Sequence, residues 1–142
     1  MSNAKAETET LMNAVFPLAE KFLQLHGEFF PYGGAMKVSG EIVNLASYDG
    51  REHPPSVDVI GLLKHGFAQG AASGEYKVTA LVHGVKVVLP SYGIKSDAVA
   101  VALDHRDSYS VVAFFPYQLK NGKVSFGEVF AQRGKADVFP SK

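Results

Sequence analysis

The chain contains no cysteine, so it can form no disulfide, offers no thiolate nucleophile and builds no cysteine-ligated zinc site. That composition agrees with a reducing compartment, and the expected location is the cytoplasm. Neither charge is in excess, with 14 Lys and Arg against 14 Asp and Glu. Nucleic-acid-binding domains carry a basic excess or a basic stripe, so no nucleic-acid partner is expected. No apolar run approaches the roughly 20 residues of a membrane span. The start, MSNAKAETET, is polar and acidic-leaning, unlike a secretory leader, and no membrane association is expected.

Signatures of catalysis are equally scarce. There is no Gly-x-Ser-x-Gly elbow, Walker loop or dinucleotide fingerprint, and Ser91 to Lys95 lacks the Ser-x-x-Lys spacing. His105-Arg106-Asp107 matches the core of a kinase catalytic loop, but Val112 stands where that motif needs Asn and no phosphate loop precedes it. The triplet is expected to be a hairpin turn. The five histidines, His26, His53, His65, His83 and His105, form no metal-binding pair by spacing. No metal, no cofactor and no catalytic residue is expected.

What the chain does contain is strand and turn signal. Asn121-Gly122 lies between two runs of β-branched and aromatic residues, the mark of a two-residue type I′ hairpin. Phe114-Phe115-Pro116-Tyr117 echoes Phe29-Phe30-Pro31-Tyr32, and each copy is followed by Lys-Val-Ser and Gly-Glu. Repeat architectures need more than two weak units, so the echo reads as reuse of strand-friendly residues.

At 142 residues the chain fits one domain, expected over residues 7–140, with residues 1–6 flexible. Leu11, Val15, Leu18, Phe22 and Leu25 recur at helical steps and predict a helix over 8–26, capped by Thr8 and ended by Gly27, with Pro17 as a kink or as a late start. From Glu28 to Tyr48 the period drops to two, predicting a pair of strands turned at Ser39-Gly40, with Gly33-Gly34 as a bulge. Asp49–Pro55 reads as a loop. A second helix is expected from Ser56 to about Ser73, buried along Val59, Ile60, Leu63 and Phe67, with Gly66 and Gly70 allowing close approach and Gly74 stopping it.

Glu75–Leu89 reads as a strand whose apolar parity switches at His83-Gly84, predicting a bulge there. Asp97–Asp104 is a strand with a bulky face (Val99, Val101, Leu103) and a small one (Ala98, Ala100, Ala102) ready to accept a helix. Pro116 places its strand at an edge or near its end. The tail after Arg133 reads as irregular.

The sum is an α+β domain, two helices on an antiparallel sheet of about five to six strands, in the order α-β-β-α-β-β-β-β. That order resembles the one in profilin-like and roadblock-like domains, with a terminal strand replacing a final helix. The resemblance implies a fold only. Glu128 is the least explained polar residue: strict alternation puts it on the face of Val124, Phe126 and Phe130. It and Tyr117 are candidate ligand-binding residues, with Glu28, His83 and His105 beside them. The leading functional expectation is a non-catalytic assembly or protein-interaction module, a homodimer using a sheet edge, with few blocking charges at Val111–Tyr117, or an aromatic face. The alternatives are a small-ligand-binding domain or enzyme using Glu128 and Tyr117, and an inhibitor or immunity-type partner of another protein.

Overall fold

A computed structural model describes residues 3–45 and 56–139. The loop at Asp49–Pro55 with His53, the strand residues after Leu45 and the capping side chain of Ser56 lie outside the described residues. The elements are α1 (Ala4–His26), β1 (Tyr32–Lys37), β2 (Ile42–Leu45), α2 (Ser56–Ala72), β3 (Tyr76–Val88), β4 (Lys95–His105), β5 (Tyr109–Lys120), β6 (Lys123–Phe126) and β7 (Phe130–Arg133). The class is α+β, as the residue patterns predict. All strands pair antiparallel in the order β2-β1-β3-β4-β5-β6, and β7 shares with β6 the outer side of β5.

Both helices pack on this sheet, from opposite faces. The face carrying Met36, Val78, Ala80, Val82, Val99, Val101 and Leu103 receives Leu11, Val15, Ala19 and Leu23 of α1. The other face receives Val59, Leu63 and Phe67 of α2 around Leu81. The approach is close because β1 presents two glycines side by side. A β-carbon on Gly33 would stand 2.5 Å from the Phe67 ring, and one on Gly34 would stand 2.5 Å from a Val15 methyl. These glycines do not form a bulge, since β1 pairs with β2 and β3 in unbroken register through both. They are places where a helix lies on backbone.

α1 begins four residues before the expected cap. Thr8 lies buried inside the helix, and its hydroxyl has no hydrogen-bond partner among the described residues. The helix runs through Pro17. There the buried Tyr32 hydroxyl donates to the Val15 carbonyl at 2.5 Å and accepts from the Ala19 N–H at 2.9 Å. Residues 15 and 19 are the i, i+4 partners of an ordinary helix, so a side chain from β1 bridges the ladder at the turn where proline weakens it. The buried stripe steps by four through Leu11, Val15, Ala19 and Leu23, so Leu18 is only partly buried beside it and Leu25 is exposed. Gly27 ends the helix at φ 74°, donating to the Leu23 carbonyl.

The turns follow their chemistry. Asn121 and Gly122 both take positive φ, and Lys120 pairs with Lys123 across them. Ser39-Gly40 turns β1 into β2. Two expected irregularities move. No bulge occurs at His83-Gly84, because β3 pairs with β4 in continuous register from Val78 to Val88. The switch in apolar parity marks instead a change in which face is covered: α1 stops shielding one face, and Val85 and Val87 stay half-buried on the other.

The bulge is opposite Pro116. Tyr117 pairs with Phe126 and Phe114 with Phe130, so three residues, Gly127 to Val129, stand against two. Pro116 offers no N–H there, and its carbonyl accepts from Gly127 at 2.8 Å. β5 is therefore an interior strand that continues through its proline. The one-residue surplus reverses the parity: Phe126 packs on Phe16 and Tyr117 on the α1 side, while Phe130 stacks on Phe114 at 5.0 Å on the other. It also means that Val111–Tyr117 is no open edge for dimerisation. Gln24 of α1 covers part of β6, donating to the Gly122 carbonyl and accepting from the Val124 N–H.

Gly70 packs on the Tyr76 ring, whereas Gly66 meets nothing within 4 Å. The same substitution should therefore have opposite signs at two glycines. Gly33→Ala should cost about 1–3 kcal/mol by forcing Phe67 off the strand. Gly66→Ala should stabilise α2 by about 0.5–1 kcal/mol through helix propensity. Urea denaturation of both variants checks the pair; a neutral Gly33→Ala would refute the contact.

Candidate functional site

Away from α1, the sheet is only partly covered. Among the described residues α2 packs mainly over β1 and β3, so no helix covers most of β4 and β5 on that side. Their cover is the C-terminal segment after β7. Gly134 donates to the Ser110 carbonyl, Ala136 donates to the Ser110 hydroxyl at 3.1 Å, and Val138 packs beside the α2 cluster. Between α2, the sheet and this segment lies a hollow of about 310 Å³, at the lower end of the range for small-molecule sites.

The register of the strands orders its floor into rows. Thr79, Asp104 and Ser110 stand side by side across β3, β4 and β5. Two residues along come Leu81, Ala102 and Val112, then His83, Ala100 and Phe114. The alternating alanines of β4 make the room. The small face that suggested a docked helix is roofed at a distance, because Gly33 draws α2 toward β1.

The polar row is at the buried end. Thr79 is 1% exposed and Asp104 8%. Ser110 donates to one Asp104 oxygen at 2.7 Å. Burial pushes the Asp104 carboxyl above its ordinary value, the Ser110 bond opposes this, and Asp137 adds to it. At the far row burial holds the His83 imidazole below its ordinary value, and Lys64 adds to the effect. Neither Thr79 nor His83 makes a side-chain hydrogen bond among the described residues. Lys64 of α2 reaches Asp137 of the tail at 4.0 Å, both half-exposed. Such a pair contributes about 0–1 kcal/mol, so it joins the two walls only weakly.

The residues singled out from the sequence do not converge. His83 lines the hollow. Glu128 is exposed within the bulge and borders a separate recess of about 240 Å³ with Tyr92, Pro116 and Phe130. Strict alternation does not hold for it, because β6 ends at Phe126 and β7 begins at Phe130. Tyr117 lines the adjoining recess with Phe126 and Ser125, and burial raises its phenol. Glu28 is exposed ahead of β1.

His105 is buried at the β4–β5 turn on the α1 side. Its Nδ1 accepts from the Asp107 N–H at 3.0 Å, so its Nε2 is the nitrogen that donates to Glu7 at 2.9 Å. Glu7 also pairs with Lys77. This cluster joins the first turns of α1 to β3 and β4, and it opens onto no described hollow.

Thr79, Asp104 and Ser110 escaped sequence reasoning. The signal that was available is the parity of β4: Asp104 continues the row of Ala98, Ala100 and Ala102, a carboxylate on the small-residue face.

Two carboxylates give opposite predictions. The hydrogen bonds from Lys77 and His105 hold Glu7 below its ordinary value of 4.5, so it binds a proton less tightly folded than unfolded. Its stabilising contribution is complete above that value and is lost as the pH falls through the lower folded one. Asp104 binds its proton more tightly when folded, so its charge costs stability at neutral pH, and that cost vanishes below its ordinary value of 3.8. Glu7→Gln should destabilise at pH 7, and Asp104→Asn should hold or raise stability there. Both differences should fade toward pH 3. Chemical denaturation at the two pH values measures them, and a shared sign at pH 7 would contradict the assignment.

No described helix is long and apolar enough to cross a membrane. No protein-family model matches the chain, nor does any curated protein or solved structure.

Proposed function

We propose that this chain is a small-molecule-binding domain whose site is the hollow between α2, the sheet and the C-terminal segment. One observation carries the reading. A mostly apolar cavity is lined by Thr79, His83 and Asp104, whose only side-chain hydrogen bond among the described residues is the one from Ser110 to an Asp104 oxygen. Their remaining polar atoms are open to the hollow, where a ligand can meet them.

Distance argues for binding rather than two-residue catalysis. The rows of Asp104 and His83 are four residues apart, about 13 Å at strand rise. A proton shared with a reacting group needs contact at roughly 3 Å, so the two cannot act on one bond.

A thermal-shift screen of polar and amphipathic metabolites tests the proposal. At ten times its Kd a ligand adds about 1.4 kcal/mol, or roughly 5 °C in a domain of this size. The shift should disappear in Ala102→Leu, which fills the middle of the floor. An equal shift in that variant would place binding elsewhere, and no shift from any compound would count against the reading.

Self-association is a second reading. Val88, Tyr92 and Ile94 are exposed at the β3–β4 hairpin, with Tyr92 at 72%. Apolar residues grouped at one end favour an interface with a second copy or another protein. Light scattering at micromolar concentration should give a dimer mass, and Tyr92→Lys should return a monomer. A monomer mass for the unaltered chain would remove homodimerisation. The cysteine-free composition is the reason for placing the protein in the cytoplasm.

A further inference from the structure

Resting on the binding reading above, we infer that the hollow accepts an elongated molecule with a protonated amine at one end and an apolar body. The amine sits on the row of Thr79, Asp104 and Ser110, and the body lies over Leu81, Ala102 and Val112.

The head group follows from what the polar row has left to offer. The Ser110 hydroxyl is already committed as a donor to Asp104 and as an acceptor to Ala136. Among the described residues Asp104 keeps a second carboxylate oxygen without a hydrogen bond, and Thr79, directly opposite it across the strands, makes no side-chain hydrogen bond. The carboxylate oxygen only accepts and the Thr79 hydroxyl can accept as well as donate, so a group with more than one donor can serve both at once. An ammonium has three donors and no acceptor.

Charge points the same way. Asp104 forms no ion pair among the described residues; Lys64, whose charge favours the ionised carboxylate from a distance, stands 4.0 Å from Asp137. A buried carboxylate without a counter-ion is costly, and a ligand cation would supply one through a charge-assisted hydrogen bond. A carboxylate head at this row would meet Asp104 directly, while the lysines that line the hollow, Lys64 and Lys135, share its walls with Asp137. The body is apolar because the middle row carries no polar side chain, and the next one along is His83.

Calorimetric titration of the full chain with hexylamine, hexanol and hexanoate tests this. Hexylamine should bind about tenfold more tightly than hexanol, the margin of a hydrogen bond to a charged group, and hexanoate most weakly. Asp104→Asn should remove the margin, leaving amine and alcohol alike. Amide shifts of Thr79, Asp104 and Ser110 in the unaltered chain should move on adding hexylamine, a readout independent of any variant's folding. Equal affinities, or hexanoate binding tightest, would overturn the amine assignment while leaving the hollow as a binding site. Amide shifts confined to the Tyr92–Phe130 recess would overturn it too. Failure of all three probes would overturn the assignment, and the binding reading falls with it only if the metabolite screen and the Ala102→Leu comparison are also empty.

Discussion

Gly33 and Gly34 lie next to each other in β1, and their missing side chains face opposite ways. Phe67 of α2 takes one space and Val15 of α1 the other. Most of the molecule's asymmetry follows from that pair of contacts. α2 is drawn onto the β1–β3 side of the sheet, whereas α1 lies across the other face from β2 to β6. Beyond β3, on the α2 side, no described helix covers most of the sheet. The C-terminal segment takes the role, held by Ser110 and by a few side chains of α2. A covering strand of backbone packs less fully than a helix does, and the alanines of β4 leave space beneath it. The hollow is thus a by-product of where two helices are allowed to touch the sheet.

Local chemistry made much of this fold legible. The Asn121-Gly122 hairpin needs only two residues that tolerate positive φ. The stripe of Val59, Leu63 and Phe67 needs only its own periodicity, and Gly27 announces itself as a helix end. What resisted reading depends on neighbours in space. The parity switch at His83-Gly84 looks the same whether the strand bulges or the cover changes sides, and only the straight register of β4 decides. Pro116 could be read as an edge because nothing in β5 reveals that its partner carries the extra residue. Gly33-Gly34 resembles a bulge until the rings and methyls above and below it are known.

The candidate site was legible to a smaller degree, for a related reason. His83 was visible as a polar residue in an apolar run. Asp104 was hidden at the end of a strand, where a carboxylate reads as solvent-facing. Its burial is a property of the returning C-terminal segment, which bears no sequence relation to β4. Glu128 stood out because alternation was assumed to continue, and the bulge that breaks the alternation is what puts Glu128 in water.

The hydroxyl of Tyr32 has a kinetic consequence. Helices ordinarily satisfy their own amides, so their hydrogen exchange reports local fraying. At Ala19 the amide is held by a residue thirteen positions further along, on a different element. When β1 lifts from α1 that partner is lost, and the amide keeps protection only as far as the turn at Pro17 can close its own bond to Val15. Exchange at the Ala19 amide therefore responds to sheet–helix separation as well as to fraying. The middle of α1, although formed from contiguous residues, joins the long-range part of the folding reaction rather than the local one.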